Sequence, residues 1–188
     1  MNLKSILKTL SKDENYLLIP LFIIYAAPIF FSAQIPNGDG LRYWGYAQNI
    51  TNGFYAYDIS NEYFLWNGPG WPAFLSIFVY LNIPAFIPAV INCIFIFLSS
   101  KILFRLGIFL GLKKYVILFS IYFIFLSIPE TVRLATQLYT EPICIFILLT
   151  LFKNLIFRSH SKKYLIINSF LIAFLILTKV VFFYIILV

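Results

Sequence analysis

The sequence predicts an all-α membrane protein, with about five transmembrane helices and a long outer loop between the first and second spans that contains short interfacial helices. Three observations lead there. Of 188 residues, 62% are hydrophobic and only 11% are charged, and mean hydropathy is +0.91. That charged fraction is about half the usual one for a soluble domain, so a water-soluble fold is excluded. Apolar stretches approach the roughly 20 residues that a helix needs to cross a hydrocarbon core of ~30 Å, and polar or basic segments separate them. The basic residues are also sorted to one side, as described below.

The first span, 16–35, follows an amphipathic, Lys-bearing start over 1–15 (Lys4, Lys8, Lys12), expected on the cytoplasmic side. It carries Pro20 and Pro28 and runs into Pro36-Asn37-Gly38-Asp39-Gly40. It is longer than a signal-peptide core and lacks a small-residue cleavage site, so it reads as a retained anchor. The outer loop, 36–82, begins with a predicted helix. Asp39 is its N-cap, Leu41, Trp44 and Ala47 with Gln48 follow at helical spacing, and Asn52-Gly53 stops it. Asp39 and Arg42 then share one face. Residues 54–66 are rich in Tyr, Phe and Trp, which suit both a membrane interface and the apolar faces of sugar rings. Asn67-Gly68-Pro69-Gly70-Trp71-Pro72 is a rigid turn. It feeds the apolar stretch 71–81, which at ~17 Å is half a bilayer and is expected at the interface. The later spans are 83–104, 115–128, 142–157 and 164–188. The third and fourth are short and need Lys113, Lys114 and Lys153 to snorkel.

With five spans and an internal N-terminus, eleven of the fourteen basic residues lie inside against two acids, Asp13 and Glu14. Outside stand Arg42, Arg133 and Lys179 with Asp39, Asp58, Glu62, Glu130 and Glu141. The net +7 is therefore a record of sidedness and calls for no nucleic-acid partner. Cys93 and Cys144 sit in apolar runs as small buried hydrophobes, and His160, amid Arg158, Lys162 and Lys163, is a solvated cytoplasmic residue. Asn49-Ile50-Thr51 fits a glycosylation pattern but falls inside the predicted helix.

The outer residues resemble a family. Gly-Asp-Gly-Leu-Arg-Tyr after the first span, Ala-Gln-Asn-Ile-Thr-Asn-Gly at a helix end, and Gly-Pro-Gly-Trp-Pro-Ala-Phe-Leu before a half-length helix resemble the first outer loop of GT-C-type membrane glycosyltransferases. The protein O-mannosyltransferase and aminoarabinose transferase branch is the most similar. Leu-Tyr-Thr-Glu141-Pro142 resembles that branch's second acid-Pro element, and Leu177-Thr178-Lys179 its Thr-Lys motif. Where many members place a second acid after the first, this chain has Gly40.

The resemblance implies inverting transfer of a sugar from a polyprenyl-phosphate carrier to a lipid, glycan or protein acceptor at the outer face of a bacterial inner membrane. On it, Asp39 takes the proton of the attacking hydroxyl, Glu141 positions the acceptor or tunes Asp39, and Lys179, Arg42 and Arg133 stabilise the leaving phosphate. Tyr43 and Trp71 become candidate substrate contacts, with Tyr46 and Trp66 beside them. No cofactor is expected, although Asp58 or Glu62 could bind a divalent ion with Asp39. Each residue also has a plainer role. These are a helix cap for Asp39, an ion pair with Asp39 for Arg42, a helix start for Glu141 and snorkelling for Lys179. The chain ends on Phe-Tyr-Ile-Ile-Leu-Val within its fifth span, so residues 16–188 are expected to be an incomplete, N-terminal part of such a domain, with doubtful activity alone. A transporter or flippase component, with Lys179 and Pro-broken spans on a substrate path, and a non-catalytic scaffold subunit are the alternatives.

Overall fold

A computed structural model describes residues 3–31, 36, 38–54, 68–126, 129–158, 162–179 and 182. These residues form helices and no strand: α1 (Leu3–Phe31), α2 (Asp39–Thr51), α3 (Gly70–Tyr80), α4 (Phe86–Phe109), α5 (Lys114–Leu126), α6 (Pro129–Thr136), α7 (Glu141–Arg158) and α8 (Lys162–Thr178). The all-helical expectation holds. The five-span expectation is not established, because among the described residues only α4 is both long and apolar enough to cross a membrane. Residues 17–30 of α1, α3 and α5 are apolar but shorter. α7 includes Glu141, Lys153 and Arg158, and α8 has 17 residues and begins with Lys162 and Lys163. α1 runs unbroken through residue 15, so the basic start belongs to the same helix as the apolar segment.

α4 is the hub, packed against α1, α5, α6 and α7. One core joins α1, α4 and α5 through Leu18, Leu21, Tyr25, Cys93, Ile96, Phe104, Ile121 and Phe125. A second joins α2, α3, α7 and α8 through Tyr43, Tyr46, Trp71, Leu75, Ile143, Ile147 and Leu175. Phe95 and Phe146 stack with centroids 5.3 Å apart between α4 and α7, and Trp44 packs against both cores. Burial of large aromatics and aliphatics at these seams, worth about 1.5–3 kcal/mol each in water, is what apolar patterning alone can specify. Polar pairs add orientation: Asn154 donates to Asn168 at 2.9 Å between α7 and α8, and the Tyr122 hydroxyl donates to the Leu17 carbonyl at 2.7 Å between α5 and α1.

Two helix boundaries differ from expectation. α2 begins at Asp39, and its N-cap is Gly38, whose φ of 56° no L side chain adopts readily; the Asp39 side chain makes no capping bond. Asp39 is instead the first helical residue, where a carboxylate faces the positive end of the helix dipole. α6 is an element that the apolar pattern does not announce, because eight residues carrying Glu130 and Arg133 read as loop. Pro129 at the first helical position with Glu130 next is nonetheless a helix-start signal.

Candidate functional site

The site is organised around residues 137–141, which link α6 to α7. Three successive carbonyls of this link are held from three directions. Gly40 of α2 lies so close to the Gln137 carbonyl that an added Cβ would come within 1.6 Å of it. The Trp71 indole of α3 donates to the Leu138 carbonyl at 2.7 Å, and the Asn92 amide of α4 donates to the Tyr139 carbonyl at 3.0 Å. Leu138 itself has a φ of 61° and is buried, a conformation that costs a bulky residue on the order of 1–3 kcal/mol and persists only when its surroundings impose it. Here Trp71, Asn92 and Gly40 supply those surroundings.

The link delivers Thr140 and Glu141 to the start of α7. The Thr140 carbonyl accepts the first helical bond from the Cys144 amide at 3.0 Å, and Glu141 occupies the first turn. From the far end of the chain, α8 brings Lys179 to the same place: its ammonium donates to Glu141 Oε1 at 2.5 Å, with each side chain about one third exposed. A carboxylate at a helix start and an ammonium at a helix end both complement the dipoles of their helices. The other oxygen of Glu141 is buried and has no hydrogen-bond partner among the described residues. The Leu177-Thr178 end of α8 is clamped in turn by the glycine-proline turn before α3. A Cβ on Gly68 would meet the Leu177 carbonyl at 2.0 Å.

On the open side, Asp39 and Arg42 form an ion pair of 3.5 Å and are about half exposed. Tyr43 sits behind them, buried at 3% exposure. Desolvation pushes its phenol well above the usual tyrosine range, and the charges of Glu141 and Asp39 add to the shift. Tyr43 therefore stays protonated at physiological pH and registers both carboxylates.

Of the residues proposed from sequence, the structure brings Asp39, Arg42, Tyr43, Glu141, Lys179 and Trp71 to one end of the helix hub. Trp71 is fully buried and committed to Leu138, and Tyr43 is nearly so; both shape the site and neither presents an open face to a substrate. Arg133 is exposed on α6, and its Nε donates to Gln137 Oε1 at 3.2 Å, which sets it beside the link. Asp58, Glu62, Trp66 and His160 lie outside the described residues. Sequence reasoning missed Asn92, fully buried, whose one available signal was a lone amide in an otherwise apolar run. No protein-family model, curated protein or solved structure matches the chain, so the arrangement of these residues carries the functional reading.

Proposed function

We propose that the chain is a membrane glycosyltransferase component that moves a sugar, with inversion, from a polyprenyl-phosphate carrier to an acceptor at the outer face of a membrane. The supporting observation is convergence: segments 38–43, 68–71, 137–141 and 177–179 meet, and they set Glu141 against Lys179 near the half-exposed Asp39. In this reading Asp39 accepts the proton from the attacking hydroxyl, and Lys179 with Arg42 stabilises the departing lipid phosphate. Glu141 holds Lys179 between turnovers and sets its position near Asp39.

The membrane placement takes α1, α4, α5, α7 and α8 as spans, with α2 and α3 in the outer interface. α5 has 13 residues, about 20 Å, and depends on Lys113 and Lys114 reaching the headgroups. Glu14, Lys101 and Arg105 meet at the end of α4 opposite Asn92, in keeping with an inner face there.

A transporter reading has one observation in its favour. Ser99 and Thr150, each one turn beyond the stacked Phe95 and Phe146, hold buried hydroxyls without a hydrogen-bond partner among the described residues. The two readings separate by assay. Membranes carrying the protein are given labelled polyprenyl-phosphate sugars, with Lys179→Ala as control. Transfer that Lys179→Ala abolishes supports the transferase, and no transfer from any such donor overturns it.

A further inference from the structure

The seam between α4 and α7 holds buried oxygens that neither helix satisfies. The two helices run side by side in the same direction: Asn92 meets the Tyr139 carbonyl just ahead of α7, Phe95 stacks on Phe146, and further along Phe109 meets Phe157 edge to face with centroids 4.7 Å apart. Asn92 Oδ1, Thr140 Oγ1 and Glu141 Oε2 lie toward the start of α7, and Ser99 Oγ and Thr150 Oγ1 lie one turn past the aromatic stack. All of these atoms are buried and have no hydrogen-bond partner among the described residues. The Ser99 and Thr150 hydroxyls do not lack a local acceptor. Ser100, Thr136, Ser169 and Thr178 each donate to the carbonyl four residues earlier on their own helix, at 2.8–3.1 Å. Ser99 and Thr150 make no such bond. Residues four apart share a helix face, so both hydroxyls follow Phe95 and Phe146 onto the seam. Thr140 stands at the N-cap of α7, where a hydroxyl ordinarily accepts from an amide two or three residues on. Pro142 has no amide proton to give, and the bond from Ile143 is not made.

A buried oxygen without a partner is costly, and native folds seldom leave one so. We propose that this seam binds internal water at two levels, the first at Asn92, Thr140 and Glu141 and the second at Ser99 and Thr150, with the Phe95–Phe146 stack between them. Water has the chemistry that both levels need. With its Nδ2 given to Tyr139, Asn92 offers only an acceptor here, as does the Glu141 carboxylate. Water donates to such groups and accepts from hydroxyls, and buried waters typically make about three bonds of this kind. A metal ion fits less well: Lys179 already compensates Glu141, and Ser99 and Thr150 are neutral, so its charge would stay unbalanced at either level. The first level also bears on the candidate site, because it holds the second oxygen of the carboxylate whose first oxygen holds Lys179. The inference rests on the packing of α4 against α7, and on neither the membrane placement nor sugar transfer.

The test is radiolytic hydroxyl-radical labelling of the full chain in detergent micelles made up in heavy-oxygen water, because radicals formed from bound water mark the side chains beside it. Phe95 and Phe146 should take up label several-fold faster than Phe104 and Phe125, which are buried in the core of α1, α4 and α5. Ser99→Ala combined with Thr150→Val withdraws the hydroxyls of the second level and should at least halve that uptake. Melting of Thr140→Val and of Thr150→Val in the same detergent gives an independent sign. Loss of a water-bonded hydroxyl should lower the midpoint by about 2–4 °C, whereas loss of an unbonded one raises it. Uptake at Phe95 and Phe146 no faster than at Phe104 and Phe125, uptake unchanged by the double replacement, or a midpoint that rises in either single variant overturns the inference. A midpoint of the unsubstituted protein that depends on which of sodium, potassium or choline is present at constant ionic strength points to a bound cation and overturns it too. None of these outcomes bears on outer-face transfer.

Discussion

The two ends of α4 use the same chemistry, carboxylates against basic side chains, to different ends. At one end Glu14 has no exposure and is gripped by a bidentate guanidinium, an ion pair that joins α1 to α4. At the other, Asp39–Arg42 is an open pair three residues apart on one helix, and Glu141–Lys179 is a partly open pair between α7 and α8. A buried, fully bonded carboxylate is fixed and has no capacity left for a reaction. An exposed carboxylate, and one with an unbonded oxygen, retain it. Burial and spare hydrogen-bonding capacity, more than residue type, separate the clamp from the candidate site.

The comparison is sharpened first by Lys179→Ala. If the outer end is catalytic, loss of one cation from the leaving group should reduce transfer by about 10²–10³-fold in a membrane assay. Stability should change little, because the pair is partly solvated. Arg105→Ala should do the reverse. It leaves Glu14 buried and unpaired by its main partner, and a loss of about 3 kcal/mol is expected, at the low end for buried pairs because the guanidinium is partly exposed. Thermal unfolding in detergent reads it. Gly68→Ala, with its Cβ driven onto the Leu177 backbone, should cost about 1–3 kcal/mol by forcing α8 away from the turn. It should also lower transfer by displacing Lys179. Trp71→Phe deletes one buried hydrogen bond to Leu138, for about 1 kcal/mol.

The smallest effect is a pH dependence at Tyr43. Its folded pKa lies above the unfolded value of about 10, so the unfolded chain releases the proton first and stability falls as pH rises beyond that value. Tyr43→Phe should remove that part of the alkaline loss in a melting profile taken as a function of pH.

Much of this was legible in the sequence. Apolar run lengths marked a helix at each expected span, and Asn52-Gly53 and the Asn-Gly-Pro-Gly turn bounded α2 and α3 close to where they lie. The residues at the Asp39–Lys179 end were also legible by type: acids, a lysine at the end of an apolar run, and glycines in tight turns. Their pairing was not. Lys179 and Glu141 are 38 positions apart, and no local periodicity connects them. The positive φ of Leu138 is imposed by Trp71, Asn92 and Gly40 from three separate helices, so nothing in Gln137-Leu138-Tyr139 itself announces it. Trp71 read as a candidate substrate contact; its fully buried place depends on a carbonyl that only the folded link presents.

The central claim is that the outer end of α4 performs chemistry and the inner end holds the fold. Asp39→Asn tests it most directly, because the amide keeps the size and position of an exposed side chain while losing its basicity. With transfer from a labelled polyprenyl-phosphate sugar and thermal unfolding measured on the same membranes, transfer should fall by about 10²–10⁴-fold with melting essentially unchanged. Transfer equal to that of the unsubstituted protein would contradict the claim.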